Sequence, residues 1–420
     1  MDNGIPQDGQ RAGAQISPRA RAAGIFVLAS SLSFALFTLF GGIGPVDILL
    51  SVWLGLLVVY SLYRYGYFAE RVPLLLPGAA SPQFEKMRRT TGRARLLPAA
   101  EPRYLTVKEA EDQLDPESRV IGLEFHGHAI AYPLAAMGIR ESAHEVIEGN
   151  HILVTWWPVS YSARAFVVHE GDEHITERKT VLNSSVLSDV HGNSVVQFLG
   201  QTVAGPDRGQ TLEQIPVVST NWRAWSNAHP DTEVMSNEGT PDVDVFERYY
   251  TTVRAGLYQQ SSKDRRWHDK DTVLGVVVNG QAKAYPHPAL IDRPLVQEEL
   301  GGEPVLIVHE RISATAVAFN RTVDGRVLTF EGDSRNPIRP TAGPADTDVR
   351  QRIHYDPWFL VDTETGSRWR AMTGECASGR LKGSRLQMLA AQTGFWFAWS
   401  RFYAHADLME SRRTQQASSR

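Results

Sequence analysis

Histidines and carboxylates at short spacing are the first residues of this chain that suggest chemistry. In His126-Gly127-His128 two imidazoles on one strand would share a face at metal-ligand spacing. A turn at Gly127 breaks that geometry, and turn histidines in solvent are the plainer reading. His144-Glu145 sets an imidazole beside a carboxylate, a pair able to act as acid, base or ligand. The weak metal candidates are therefore His126, His128 and His144, against a hydrogen-bonded structural pair at 144–145. The fragment HEVIEGNH is no zinc-protease helix, because its histidines are seven apart and Gly149-Asn150 breaks any helix between them. Gly332-Asp333-Ser334 has the opening of a GDS-type hydrolase but follows a strand late in the chain. Cys376 is the only cysteine, so this chain alone forms neither a disulfide nor a thiolate metal cluster. No Walker loop, dinucleotide fingerprint or haem-attachment motif is present, and no cofactor is implied.

The segments that must carry these residues are short and β-prone. VIGLEF and AIAYPL flank His126-Gly127, and VLGVVV and AKAYPH flank Asn279-Gly280; both junctions predict hairpins. HILVTWW and PVLIVHE follow as buried strands, then SARAFVV and TAVAFNR, and in the later half RVLTFEG. Helical periodicity is confined to LTVKEAEDQL and the closing RLQMLAAQTGFWFAWSRFYAHADLM.

The two halves share one frame. Val120–Phe166 aligns without a gap on Val273–Phe319, matching Ala131-Tyr132-Pro133 with Ala284-Tyr285-Pro286 and Glu145 with Glu298. His144 is matched by Gln297. At a larger constant offset, Gly200, Gly205, Gly209, Leu212, Trp222 and Trp225 match Gly374, Gly379, Gly383, Leu386, Trp396 and Trp399, which implies an insertion of about twenty residues in the second copy. The paired tryptophans lie at helical spacing and suggest core packing. In Trp156-Trp157, adjacent strand residues face opposite ways, so one ring should be buried and the other should line a groove or the interface between copies.

Composition narrows the class. A chain of 420 residues is long enough for two or three domains, and a formal net charge of -4 gives no basic surface for nucleic acid. Two apolar runs, Gly24–Phe40 and Ile48–Tyr63, predict a transmembrane helical hairpin, and the arginines on both flanks put the large β-rich part in the cytoplasm by the positive-inside rule. A signal anchor whose second run is only a buried helix would place that part outside. The expected organisation is an N-terminal tail at 1–22, the hairpin at 23–67, a basic, proline-rich linker at 68–103, β-rich units at 104–236 and 237–410, and a disordered tail at 411–420. The fold class is thus β-dominated α+β, two tandem β-rich units behind an N-terminal transmembrane helical hairpin. The lipid bilayer is the one expected partner.

The frame Ala129-Ile130-Ala131-Tyr132-Pro133, His144-Glu145, Val154-Thr155-Trp156-Trp157-Pro158, Leu328-Thr329-Phe330, Asp362 to Trp369 and Thr373-Gly374-Glu375 resembles the domain of unknown function 3179 family, over nearly the whole β-rich part. The resemblance implies a Cys-Pro-x-Cys element where this chain reads Trp157-Pro158-Val159-Ser160, and Glu310 and Ser313 stand in the corresponding places of the second copy. Candidate ligand-binding residues are therefore His144, Glu145, Trp157, Ser160, Glu310 and Ser313. With the family's cysteines replaced in both copies, the expectation is a membrane-anchored, non-catalytic binding or scaffolding protein, against a metal-dependent or metal-handling enzyme centred on His144 and Glu145. On the first reading the Trp157 slot is filled by packing, and a buried Glu310 needs Arg311, His309 or solvent.

Overall fold

The computed structural model describes residues 44–64, 70–76, 81–89, 102–171, 175–240, 244–257, 264–333 and 358–409. It divides into two compact units, one of Met1–Val72 with Lys86–Arg89 and the other of Pro73–Glu85 with Thr90–Arg420. The first contains the helix Pro45–Arg64, whose Leu49, Trp53 and Tyr60 are exposed. Among the described residues no helix is long and apolar enough to cross a membrane. The uncharged stretch between Asp47 and Arg64 is Ile48–Tyr63. At the helical rise it covers about 24 Å, against a hydrocarbon core of about 30 Å. The predicted transmembrane hairpin is therefore unsupported, and with it the integral-membrane placement and its cytoplasmic sidedness. The first apolar run, the N-terminal tail, half of the linker and the last eleven residues lie outside the described residues.

Both β-rich halves lie in the second unit. Arg119–Phe125 and His128–Pro133 pair antiparallel around His126 and Gly127, which take φ of 49° and 85°. Thr272–Val278 and Gln281–Pro286 do the same around Asn279 and Gly280 at 47° and 78°. Positive φ at both turn residues is what a two-residue hairpin matched to strand twist requires. Flanking strands extend each hairpin to one sheet ordered Val217–Asn221, Arg119–Phe125, His128–Pro133, Glu233–Met235, Tyr104–Leu105, and another ordered Gln392–Phe395, Thr272–Val278, Gln281–Pro286, Asp407–Leu408.

A second pair of sheets carries the candidate residues. One is ordered Gln214–Ile215, Ser162–Val168, Asn150–Trp157, Ser142–Ile147; the other is Leu295–Leu300, Glu303–Glu310, Thr315–Asn320, Gln387–Met388. Two further sets of strands run antiparallel in chain order: Ile175–Val181 through Ser184–Ser188 and Ser194–Val196 to Gln201–Ala204, and Phe330–Gly332 through Phe359–Asp362 and Arg368–Arg370 to Cys376–Ser378. Helices are short. Trp222–Ala228 and Trp396–Phe402 are about two turns each; the second is all that is helical in the closing segment, whose earlier part forms the strand Gln392–Phe395, paired with Thr272–Gly275. Main-chain pairing with a distant strand outweighs local helical pattern there. The other predicted helix, LTVKEAEDQL, shrinks to Val107–Ala110, capped by Thr106 and Glu109.

Strand alternation sends the two faces of the first hairpin into different cores. Ile121, Leu123 and Tyr132 pack with Ile152, Val154 and Trp156, while Val120, Ala131, Val218 and Trp225 pack with Leu306, Val308, Phe319 and Trp369 of the later half. The later hairpin supplies Leu274, Val276 and Tyr285 to a core with Val305, Ile307 and Ala318. Gly122 lies flat against the Trp225 ring and Gly275 against Trp399, where a Cβ would overlap the indole in either place.

Candidate functional site

Glu145 and His144 are adjacent on the strand Ser142–Ile147, so their side chains leave opposite faces. Glu145 turns inward and accepts hydrogen bonds from the hydroxyls of Tyr132, at 2.9 Å, and Tyr104. Burial raises its pKa, and the two phenol donors oppose that rise. Burial, reinforced by the Glu145 charge, holds both phenols well above the usual tyrosine range. His144 lies exposed on the other face, so the two do not converge on one ligand. Their counterparts follow the same division: Glu298 accepts from Tyr285 at 2.5 Å and Lys283 at 2.7 Å, while the Gln297 amide pairs with the main chain of Phe330. The tyrosine of Ala-Tyr-Pro and the glutamate thirteen residues on are thus one part-buried clasp in each half.

His126 and His128 stand at the hairpin tip with side chains more than half exposed. The His126 Nδ1 is 2.9 Å from a Glu148 oxygen, and the His128 Nε2 is 4.0 Å from the other. Among the described residues no group of three or more His, Cys, Asp or Glu is arranged to hold a metal.

Trp157 is buried, and its indole N–H donates to the Asn183 carbonyl at 2.7 Å. Trp156 is buried too, at 1% exposure, so neither ring of the pair lines an open groove, contrary to the expectation for one of them. Its face meets the first core, whereas Trp157 faces the strands beyond Leu182, so the sheet is covered on both sides. Ser160 is fully buried and joins a polar chain in which Ser160 and Ser162 hydroxyls lie 2.7 Å apart, Ser162 donates to Gln197 and Gln197 donates to Thr155.

Glu310 and Ser313 touch directly. The Glu310 carboxylate accepts from the main-chain N–H of Ile312 and of Ser313, each at 2.7 Å, and from the Ser313 hydroxyl at 2.5 Å. Ser313 in turn lies 2.6 Å from Thr315, which donates to Thr220 at 2.6 Å. Glu310, expected to need a cation or solvent, is partly exposed and held by turn donors, because it ends its strand and the chain folds back over it. Asp333 accepts from Arg368 at 2.6 Å; Ser334 lies outside the described residues. Cys376 is buried, and burial pushes its thiol up.

Two adjoining cavities open where the halves meet. A pocket of ≈ 30 Å³ is lined by Ala228, Glu310, Val317, Trp358, Arg370 and Met372, and a cleft of ≈ 240 Å³ by Glu124, Trp225, His229, Arg385, Met388 and again Met372. The indole N–H of Trp358 has no acceptor among the described residues. The His229 ring lies over Trp225 with centroids 4.0 Å apart, and burial pushes its pKa down to about 4. Arg385 pairs with Glu124, and Arg370 lies 3.5 Å from Glu375. Of these lining residues only Glu310 was marked by sequence reasoning. The signal available was in the alignment of the halves, where small residues at cavity positions face large ones at their matches.

A second buried group also escaped notice. His287 and His309 meet edge to face at 5.1 Å, and burial pushes them down to about 3 and about 4. They stand where the first half has Leu134 and Trp156.

The family described as protein of unknown function (DUF3179) matches residues 96–406. No curated protein and no solved structure matches the chain.

Proposed function

The chain belongs to the DUF3179 family, and from that premise we propose that it is a non-catalytic small-molecule-binding protein made of two diverged copies of one β unit, with its ligand site in the cleft between them. The duplication reading is supported by the matching strand orders, by the Tyr132–Glu145 and Tyr285–Glu298 clasps, and by the two glycines that lie under equivalent tryptophans. On this reading both copies have lost the family's Cys-Pro-x-Cys element. Trp157 converts the first slot to packing, and Glu310 with Ser313 converts the second to a turn clasp at the cavity wall.

One observation carries the binding reading: the cavities open between the halves are walled largely by apolar and aromatic groups, while the groups capable of chemistry at their edge are already engaged. Such a concave site with a few polar groups suits a bound small molecule. Ser313 is buried and has no imidazole partner in the hydrogen bonds that hold it, so it lacks the base a serine nucleophile needs. The metal-handling alternative has less support, since His144 and Glu145 face apart.

The test is thermal unfolding of the full chain against a panel of small aromatic and aliphatic carboxylates, alcohols and amines. A saturable rise in the midpoint with at least one member is expected, as any ligand of the native state alone must give. No shift across the panel, or ester hydrolysis that disappears with Ser313→Ala, overturns the reading.

A further inference from the structure

The cleft has a counterpart at the matched positions of the two halves, and that counterpart is closed. With the halves aligned as above, the wall residues Met372, Ala228 and Val317 correspond to Phe198, Phe402 and Arg164. The correspondence extends to main-chain detail. Trp222–Ala228 and Trp396–Phe402 are helices of equal length, and the N–H of His229 bonds to Trp225 just as that of Tyr403 bonds to Trp399. His229 lies over Trp225 and Tyr403 over Trp399, both with centroids 4.0 Å apart.

On the closed side Phe198 and Phe402 stack at 4.5 Å with 10° between their planes. Phe198 also meets Trp399 and Tyr403, each at 6.3 Å. Arg164 seals the remaining space, donating to the Phe198 carbonyl at 2.9 and 3.2 Å and to Gln214. On the open side each of these three is shorter or has lost its ring: Met372 for one phenyl, Ala228 for the other, Val317 for the guanidinium. The tryptophan and the ring stacked on it are retained, while the two phenyl rings packed beside them are absent.

We propose that the open cleft takes a planar aromatic molecule, whose ring occupies the space that the Phe198–Phe402 stack occupies on the closed side. The inference rests on the binding reading above and adds the ligand's class to it. The partly exposed His229 ring, backed by the buried Trp225, offers an aromatic surface to the cleft, against which a ring gains offset or edge-to-face contact that a flexible alkyl chain does not. Trp358, 9% exposed and in the pocket wall, has a buried indole N–H with no acceptor among the described residues. Glu310 and Glu124 offer little to a ligand cation, since turn N–H groups and Arg385 already hold them.

Isothermal titration of the full chain with 2-naphthoate, indole and decanoate tests this, repeated on Ala228→Phe, on Met372→Phe and on the double variant. These substitutions place the closed side's own rings in the cleft. The expected result is saturable binding of both aromatic probes to the parent, with Kd raised roughly tenfold or more in the double variant, while its thermal midpoint is no lower than the parent's. Should the double variant unfold early, the single variants give the same comparison. Decanoate binding tighter than both aromatic probes, and relieved by the same substitutions, overturns the aromatic class while leaving the cleft as the binding site. Aromatic binding that neither substitution weakens overturns the placement. Absence of binding by all three probes overturns the inference, and a panel that also gives no shift removes the binding reading with it.

Discussion

Truncating Trp157 to alanine tests whether the position where the family resemblance expects a cysteine has become part of the core. The ring is 7% exposed and its N–H bonds the Asn183 carbonyl at 2.7 Å. Removing a buried aromatic side chain costs about 3 to 5 kcal/mol from lost transfer energy and the cavity left behind. The Asn183 carbonyl also loses its indole donor. Trp157→Phe retains a six-membered ring at the site while removing the donor and the five-membered part of the indole, at a cost of roughly 1 to 3 kcal/mol. In urea, with a slope near 3 kcal/mol/M for a β-rich unit of this size, Trp157→Ala should lower the midpoint by about 1 to 2 M and Trp157→Phe by about 0.3 to 1 M. Far-UV circular dichroism of the full chain reads this without depending on tryptophan fluorescence. A midpoint shift below about 0.3 M for the alanine variant, at unchanged slope, would refute the packing argument.

Glu145→Gln should keep an oxygen acceptor for Tyr132 while removing a charge whose pKa burial raises above 4.5. The native state then binds more protons than the unfolded chain between 4.5 and that raised value, so parental stability falls as pH rises through this window; the glutamine variant should lose that slope and unfold no earlier at pH 7. Glu145→Ala, leaving the buried Tyr132 hydroxyl without its acceptor, should cost about 1 to 3 kcal/mol by urea unfolding, and an unchanged midpoint would contradict the clasp. For His287 and His309 the sign is opposite: burial holds their folded pKa values at about 3 and about 4, below the ordinary 6.5, so the unfolded chain binds more protons and stability is lost as pH falls below 6.5. Their other charged neighbours, Arg119 and Arg311, push in the same direction, and His287→Leu should flatten unfolding midpoints measured between pH 5 and 7.5. Gly275→Ala drives a Cβ into the Trp399 ring and should destabilise by about 1 to 3 kcal/mol; a neutral result would show that the helix Trp396–Phe402 shifts freely.

Local chemistry made the β-rich half-units readable from the residues alone. His126-Gly127 and Asn279-Gly280 mark hairpins because two consecutive positive φ values select such pairs wherever they occur, and period-two alternation around them assigns faces within a few residues. The Ala-Tyr-Pro and His-Glu frame likewise led to the family that matches residues 96–406. Other properties depended on residues far apart in sequence. Glu145 finds Tyr104, 41 residues away, a partner that no periodicity reveals, although alternation along the strand does put the neighbouring His144 on the opposite face. The closing segment carries helical spacing over its whole length, yet pairing with Thr272–Gly275 makes its first half a strand. Glu310 required, by sequence, a cation or solvent, and the fold leaves it partly exposed and adds turn N–H groups that no local pattern announced. The apolar run at Ile48–Tyr63 did form a helix, but apolarity alone does not fix the length needed to cross a bilayer. The cleft belongs wholly to tertiary structure. Met372 and Ala228 are unremarkable as letters, and their small size matters only because folding sets them beside Trp225, while the matched positions hold two stacked phenyl rings.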